Sequence, residues 1–310
     1  MARILMVFVD YQEVYKGSRD KFIKHCENIK SEKRLIIVRN DREEGYCAGK
    51  NKNDWIFEIG GDNSVYEFSG WDKGWRSEPA RSFDADVYLF ANSAFVKKGF
   101  YATPVVSDDI IDLISDVDIM CGNLRHFAFP VMCGGMDLRD YVSTHFFFMS
   151  KKVMHALGTL VSERSYGRFI KEDFSEDLLT DNEVWNEKFK KYVMLAITSK
   201  YHTKGKKIEP GQYEFLKRKI LCIMNELLLS GRVKKAGFGL KDITPLPGFL
   251  NSYYIIFAGG TTVLPFQFLR KTILAGMEGF FINGILGRTS AGSRFYRFLS
   301  GNIVKRLSRD

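Results

Sequence analysis

A chain of 310 residues, 45% hydrophobic and 27% charged, has the length and apolar content for one large α/β domain or a catalytic domain with a smaller appendage, which excludes an extended disordered protein. Its five cysteines (Cys26, Cys47, Cys121, Cys133, Cys222), odd in number and never spaced C-x-x-C, signal neither a zinc site nor a disulfide framework and fit a reducing cytosol. The formal charge of +9 favours polyanionic partners, whether nucleic acid, a nucleotide diphosphate or an anionic membrane surface, without choosing among them.

The apolar run 4–9 is too short for a signal-peptide core and closes on Asp10, so a cytoplasmic protein is expected. The run itself reads as a buried strand. Residues 19–29 read as a helix, 35–38 and 55–59 as further strands, 67–75 as a short helix and 87–90 as a fourth strand. This alternation predicts a mostly parallel sheet with helices on both faces, and ligands on such sheets bind beyond the carboxyl ends of the strands. Each expected strand runs straight into polar or small residues: Asp10-Tyr11, Asn40-Asp41, Gly60-Gly61-Asp62-Asn63 and Asn92-Ser93. Any one of these is an ordinary turn or helix cap. Four in succession form one polar rim, chemically suited to the ribose hydroxyls and base edges of a nucleotide.

From 95 to 150 the pattern is irregular until the aromatic run 144–150, expected as a late strand covering the sheet. Residues 161–170 and 178–191 look helical, and 213–229 more strongly so, with apolar Phe215, Leu216, Ile220, Ile223, Met224 and Leu227. The lysine-rich stretch 200–207 reads as an exposed loop and a boundary between a catalytic domain, 1–205, and a helical C-terminal region, 206–310. The uncharged stretch 243–269, interrupted by Pro245, Pro247, Pro265 and Gly259-Gly260, reads as a buried or membrane-facing hairpin of loops rather than a spanning helix. In the tail, Phe295, Phe298, Leu299, Ile303, Val304 and Leu307 recur among arginines and lysines. Such a helix either lies on an anionic leaflet or closes the domain with its cations in water.

Neither G-x-G-x-x-G after the first strand nor G-x-x-x-x-G-K-[ST] occurs, which argues against Rossmann oxidoreductases and P-loop NTPases. G-x-S-x-G and H-E-x-x-H are also missing, so hydrolytic chemistry of those kinds has no support. Nucleic acid is not an expected partner: no zinc-finger or RNP motif is present, and the cations are dispersed except in the tail.

The best local signal is the segment 60–74, in which Asn63, Tyr66, Glu67, Gly70, Trp71 and Gly74 are spaced along a strand-to-helix corner. It resembles the nucleotide-binding corner of bacterial GT-A glycosyltransferases, in particular the rhamnan-synthesis family and its O-antigen and capsule relatives. The segment 86–95 is similar to that family's apolar strand ending in an Asn, Asp and Ser cluster, and 141–148 to its later segment near the acceptor. The resemblance spans roughly residues 1–190. It implies a GT-A-like, Rossmann-related sheet flanked by helices, with a helical basic C-terminal extension. It further implies transfer of a sugar, with rhamnose as first guess, from a nucleotide-diphosphate donor to a lipid-linked or oligosaccharide acceptor. The alternative is a noncatalytic glycan-assembly or membrane-docking protein on the same fold.

On this resemblance, Asp10, Asn40, Asp41, Asp62, Asn63, Glu67, Asn92 and Ser93 line the donor site, and His145 meets a diphosphate oxygen or an acceptor hydroxyl. The bland reading of His145 is a hydrogen-bonded core histidine. In GT-A enzymes the D-x-D metal motif stands at the end of the fourth strand, where this chain has Asn92-Ser93. Its own D-x-D string, Asp84-Ala85-Asp86, precedes that strand and is expected at the opposite edge. No metal ligand is therefore assigned. Manganese or magnesium is held by other carboxylates, or basic side chains such as Lys97, Lys98 or Arg125 take its place. An inverting transfer, the expected course, needs a carboxylate base, and Asp173, Glu176 and Asp177 sit where GT-A enzymes often carry it. A retaining transfer needs none. The expected location is cytoplasmic, peripheral on the inner face of the membrane through the tail.

Overall fold

The computed structural model describes residues 1–11, 15–43, 45–48, 54–96, 106–127, 129–165, 167, 169–173, 178–180, 186–198 and 208–243. These belong to one unit, Met1–Pro245. The loop 200–207, the uncharged stretch beyond Ile243 and the basic tail lie outside them.

In chain order the elements are β1 (Ile4–Asp10), α1 (Ser18–Glu27), β2 (Lys33–Arg39), β3 (Cys47–Ala48), β4 (Ile56–Gly60), α2 (Tyr66–Trp75), α3 (Glu78–Arg81) and β5 (Val87–Asn92). A 3₁₀ turn at Ser93–Val96 follows, then α4 (Asp108–Ser115), β6 (Ile119–His126), β7 (Met132–Cys133), β8 (Met136–Asp137) and β9 (Asp140–Ser150). The described chain continues with α5 (Lys151–Leu157), α6 (Glu187–Ile197), α7 (Tyr213–Lys235) and β10 (Gly239–Asp242). One sheet has the order β10-β6-β9-β5-β1-β2-β4-β3, and β7 pairs with β8 apart from it. Within the large sheet β3 and β9 run against the other strands. The architecture is thus α/β with a mostly parallel sheet flanked by helices.

Every residue of β1 is buried, as a strand covered on both faces must be. Alternate side chains serve the two layers. On one face Phe8 stacks on Phe22 of α1 at 4.6 Å between ring centroids, with Phe95 and Phe146 completing the cluster. On the other, Trp71 of α2 meets Phe90 and Phe147, and its indole N–H donates to the Ala91 carbonyl at 2.9 Å. Helix α2 lies close to the sheet because Gly70 and Gly74 face it. A Cβ on Gly74 would stand 2.3 Å from Val7 Cγ1, and valine is stiff at χ1. Gly74→Ala is therefore expected to cost about 1–3 kcal/mol despite the better helix propensity of alanine, read as a lower urea midpoint.

Elements beyond position 205 build onto the same sheet. Helix α7 packs along β9, and β10 adds an edge strand beside β6. The apolar side of α7 (Leu216, Ile220, Met224, Leu227) closes a second cluster with Phe169, Leu179, Phe189 and Val193. Two helical expectations are corrected. The described part of 161–170 is not helical: side chains take its N–H groups, Thr159 that of Val161, Glu163 those of Arg164 and Ser165, and buried Asn225 of α7 those between. The amide Oδ1 accepts from the Ser162 and Glu163 N–H groups at 2.6 and 3.0 Å, and Nδ2 donates to the Glu163 carbonyl at 2.9 Å. The helix expected at 178–191 starts only at Glu187, where Asn186 Oδ1 caps the Phe189 N–H at 2.8 Å, while Leu179 bridges to Ile170. Among the described residues no helix is long and apolar enough to cross a membrane.

Candidate functional site

The chain leaves β1 for β2 and β4 on one side and then crosses to β5 on the other, so the sheet reverses its winding between β1 and β5. At such a switch point the carboxyl ends of the two strands open a crevice that binds ligands. Asp10 closes β1 and Asn92-Ser93 close β5. The Ser93 hydroxyl lies 3.1 Å from Asp10 Oδ1 and accepts the Tyr11 N–H at 2.9 Å, so one serine ties the two strand ends together. Asp10, Asn92 and Ser93 are each at most 5% exposed. Sequence reasoning placed these three on one rim, and the fold brings them into one cluster.

Glu67, in the first turn of α2, joins it. Its Oε1 accepts from Asn92 Nδ2 at 3.2 Å and lies 3.7 Å from Cys222 Sγ of α7. Burial raises the Glu67 pKa above the ordinary carboxylate range, and the positive charge of Lys219 only partly offsets it. The Tyr11 hydroxyl is pushed well above its usual range, first by burial and then by the negative charge of Glu67. Among the described residues neither that hydroxyl nor Asn40 Oδ1 meets a partner at hydrogen-bonding geometry. Two residues of the corner hold left-handed backbone without being glycine, Asn63 at φ 51° and Tyr66 at φ 49°. Strain of this kind persists where the surrounding structure over-determines it, commonly at ligand clamps.

The outer rim is less open than the sequence suggested. Asp41 is gripped in a fork by Arg39, with both N···O distances 2.8 Å, and this pairing holds its carboxyl below the usual range. Arg39 also reaches Glu58, which Arg19 meets from α1. For Asp62, burial is outweighed by hydrogen bonds from Ser69 and Ser64, so its carboxyl too stays low. It caps its own turn through the Ser64 N–H at 3.1 Å. Asn63 is exposed and accepts from Asn40 Nδ2 at 3.2 Å. The glycines before them make room for the protein itself: a Cβ on Gly61 would fall 1.9 Å from Asn40 Oδ1, and one on Gly60 1.7 Å from the Glu43 carbonyl.

His145 is buried on β9, with Nδ1 2.9 Å from the Ser143 hydroxyl. That hydroxyl also meets Glu226 Oε1 of α7, at 3.2 Å, and the same oxygen accepts from the Thr144 N–H at 2.8 Å. Asp173 is exposed, and its carbonyl accepts from the Tyr213 hydroxyl at the start of α7, about 9 Å along that helix from Lys219 at 1.5 Å per residue. The other two candidate bases, Glu176 and Asp177, lie outside the described residues, as do Lys97 and Lys98; Arg125 is exposed on β6.

Asp84 and Asp86 stand at the amino ends of β1 and β5, the edge opposite the rim. Arg3 and Lys151 each pair with Asp84 at 2.6 Å, and Asp86 accepts the Arg3 N–H at 2.8 Å. A cleft of about 660 Å³ opens there beside Asp86, Asp112, Asp118, Lys151 and Lys152. Its carboxylates are engaged: Asp112 accepts the Ala2 N–H at 2.8 Å and Asp118 pairs with Lys152 at 3.0 Å. Among the described residues no group of three or more His, Cys, Asp or Glu side chains is arranged to hold a metal ion.

Sequence reasoning put Tyr11 on the rim without giving it a role, and it missed Arg39 and the α7 side of the site altogether. Lys219, Cys222, Glu226 and Ser230 recur at intervals of three and four and so share one stripe of a helix whose other buried positions, Asn225 apart, carry no charge and are mostly apolar. That stripe was the available signal. No protein-family model and no curated protein matches this chain.

Proposed function

We propose that the chain is a glycosyltransferase of the GT-A type, which takes a sugar, with rhamnose as first guess, from a nucleotide diphosphate. The acceptor is a lipid-linked or oligosaccharide glycan of O-antigen or capsule synthesis, met at the inner face of the cytoplasmic membrane through the basic tail. The observation that carries the reading is the convergence of Asp10, Asn92, Ser93 and Glu67 at the β1/β5 switch point.

In the proposed reaction the acceptor oxygen bonds to the anomeric carbon as the bond from that carbon to the diphosphate oxygen breaks. The leaving electron pair stays on the diphosphate. In an inverting course the acceptor proton passes to a carboxylate, for which the segment carrying Asp173, Glu176 and Asp177 is the candidate. Asp10 and Asn40 offer acceptors for ribose hydroxyls and base edges, and His145 remains the candidate contact to diphosphate or acceptor. Charge on the diphosphate is met either by Mn or Mg held on carboxylates outside the Asn92-Ser93 position or by basic side chains in its place.

Thermal melting in the presence of nucleotides and nucleotide sugars, each with and without manganese or magnesium, tests this. One nucleoside diphosphate and its sugar are expected to raise the melting temperature, since a ligand binding only the folded state stabilises it. Flat melting across the whole panel overturns the donor-site reading.

A further inference from the structure

We propose that Lys219 of α7 binds the donor diphosphate and neutralises the charge that develops on it as the sugar departs. This rests on the donor-site reading above. Other cations at the rim are committed: Arg39 grips Asp41, and Arg19 meets Glu58. Lys219 makes no ion pair among the described residues. Its ammonium stands over the Tyr66 ring, 5.5 Å from the centroid, and its charge acts on both Glu67 and Cys222. The lysine is half-buried, one turn of α7 before Cys222, which meets Glu67, the partner of Asn92 at the end of β5. Beneath it, Tyr66 is fixed in left-handed backbone at the first residue of α2.

The chemistry favours a phosphate there. A partly desolvated ammonium beside a half-buried carboxyl gains from a second anion on its open side, and a diphosphate provides one. The position normally filled by a D-x-D motif cannot supply this neutralisation. Asn92 is neutral, with Nδ2 donating to Glu67 and Oδ1 accepting the Ala94 N–H at 3.0 Å, and Ser93 is tied to Asp10. Lysine, as a compact point charge on a flexible stem, can follow the leaving group without a fixed fork geometry.

The test is calorimetric titration of the full chain with thymidine, dTMP and dTDP, with the uridine, guanosine and adenosine series run alongside. Wild type, Lys219→Met and Lys219→Arg are compared. In wild type the diphosphate of the preferred base is expected to bind at least about tenfold tighter than its monophosphate. Lys219→Met is expected to abolish that increment while leaving nucleoside affinity within about twofold, and Lys219→Arg to restore most of it. An unchanged diphosphate increment in Lys219→Met overturns the inference and leaves the donor site standing. So does an equal loss for nucleoside, mono- and diphosphate, which is the mark of a purely structural lysine beside Glu67. Absence of binding by every series to wild type overturns the donor-site reading and this inference with it.

Discussion

Trp71→Ala is expected to destabilise the protein by about 3–5 kcal/mol, the usual cost of truncating a fully buried tryptophan. The side chain fills the space between α2 and the sheet, edge-on to Phe147 at 5.3 Å between centroids and against Phe90, so its removal leaves a cavity that rigid strands cannot close. It also leaves the Ala91 carbonyl without its indole donor. Equilibrium urea unfolding gives the value. Trp71→Phe, which keeps an aromatic ring but not the N–H, is expected to lose about 1–2 kcal/mol. Because Trp71 seats the helix whose first turn carries Tyr66 and Glu67, Trp71→Ala should weaken nucleotide binding even where the folded state is still populated. A loss below about 1 kcal/mol for the alanine variant means that α2 is held by other contacts.

The same helix marks what was legible in the sequence. Buried parallel strands must be apolar throughout, and their carboxyl ends must turn, so the runs ending in Asp10, Asn40 and Asn92 announced both the sheet and its rim before any contact was known. Order within the sheet was not announced. That Asp10 meets Ser93 across 83 positions depends on the chain reversing from β4 to β5, which no local pattern encodes.

The readings that failed were those in which tertiary hydrogen bonding overrode local preference. Residues 161–165 carry no intrinsic bar to helix, but Asn225 takes the Ser162 and Glu163 N–H groups from outside, and the Thr159 and Glu163 side chains take the other three. Conversely, α7 read as a helix on its apolar positions alone. Its polar stripe of Lys219, Cys222 and Glu226 gained meaning only where it crosses α2 and β9, because a polar residue inside a buried helix has no evident partner until the facing element is known. Asp41 and Asp62 differ: position puts them at the rim, and the fold gives each a partner of its own there. The fold engages the first with Arg39, a cation on the neighbouring residue's far side, and the second with its own turn.

Glu67→Gln is expected to move stability and binding in opposite directions. The folded-state pKa of Glu67 is raised above 4.5, chiefly by burial, so between that ordinary value and the raised one the native state holds a proton that the unfolded chain has released. Stability of the wild type contributed by this group is therefore full below about pH 4.5 and is lost as pH rises through the folded pKa. Glutamine matches the protonated side chain in shape, can still accept from Asn92, and has no charge to bury. Urea midpoints measured from pH 4 to 8 should therefore coincide for the two proteins at the acid end. The variant should then pull ahead through the window and hold a constant advantage above it. Over the same range the variant should bind the preferred nucleoside more weakly, since the carboxylate that would accept from a ribose hydroxyl is gone. Such a trade is the pattern of a residue kept for function against stability. A variant less stable than wild type at pH 7 would mean that the Lys219 charge outweighs burial and that Glu67 holds the fold together.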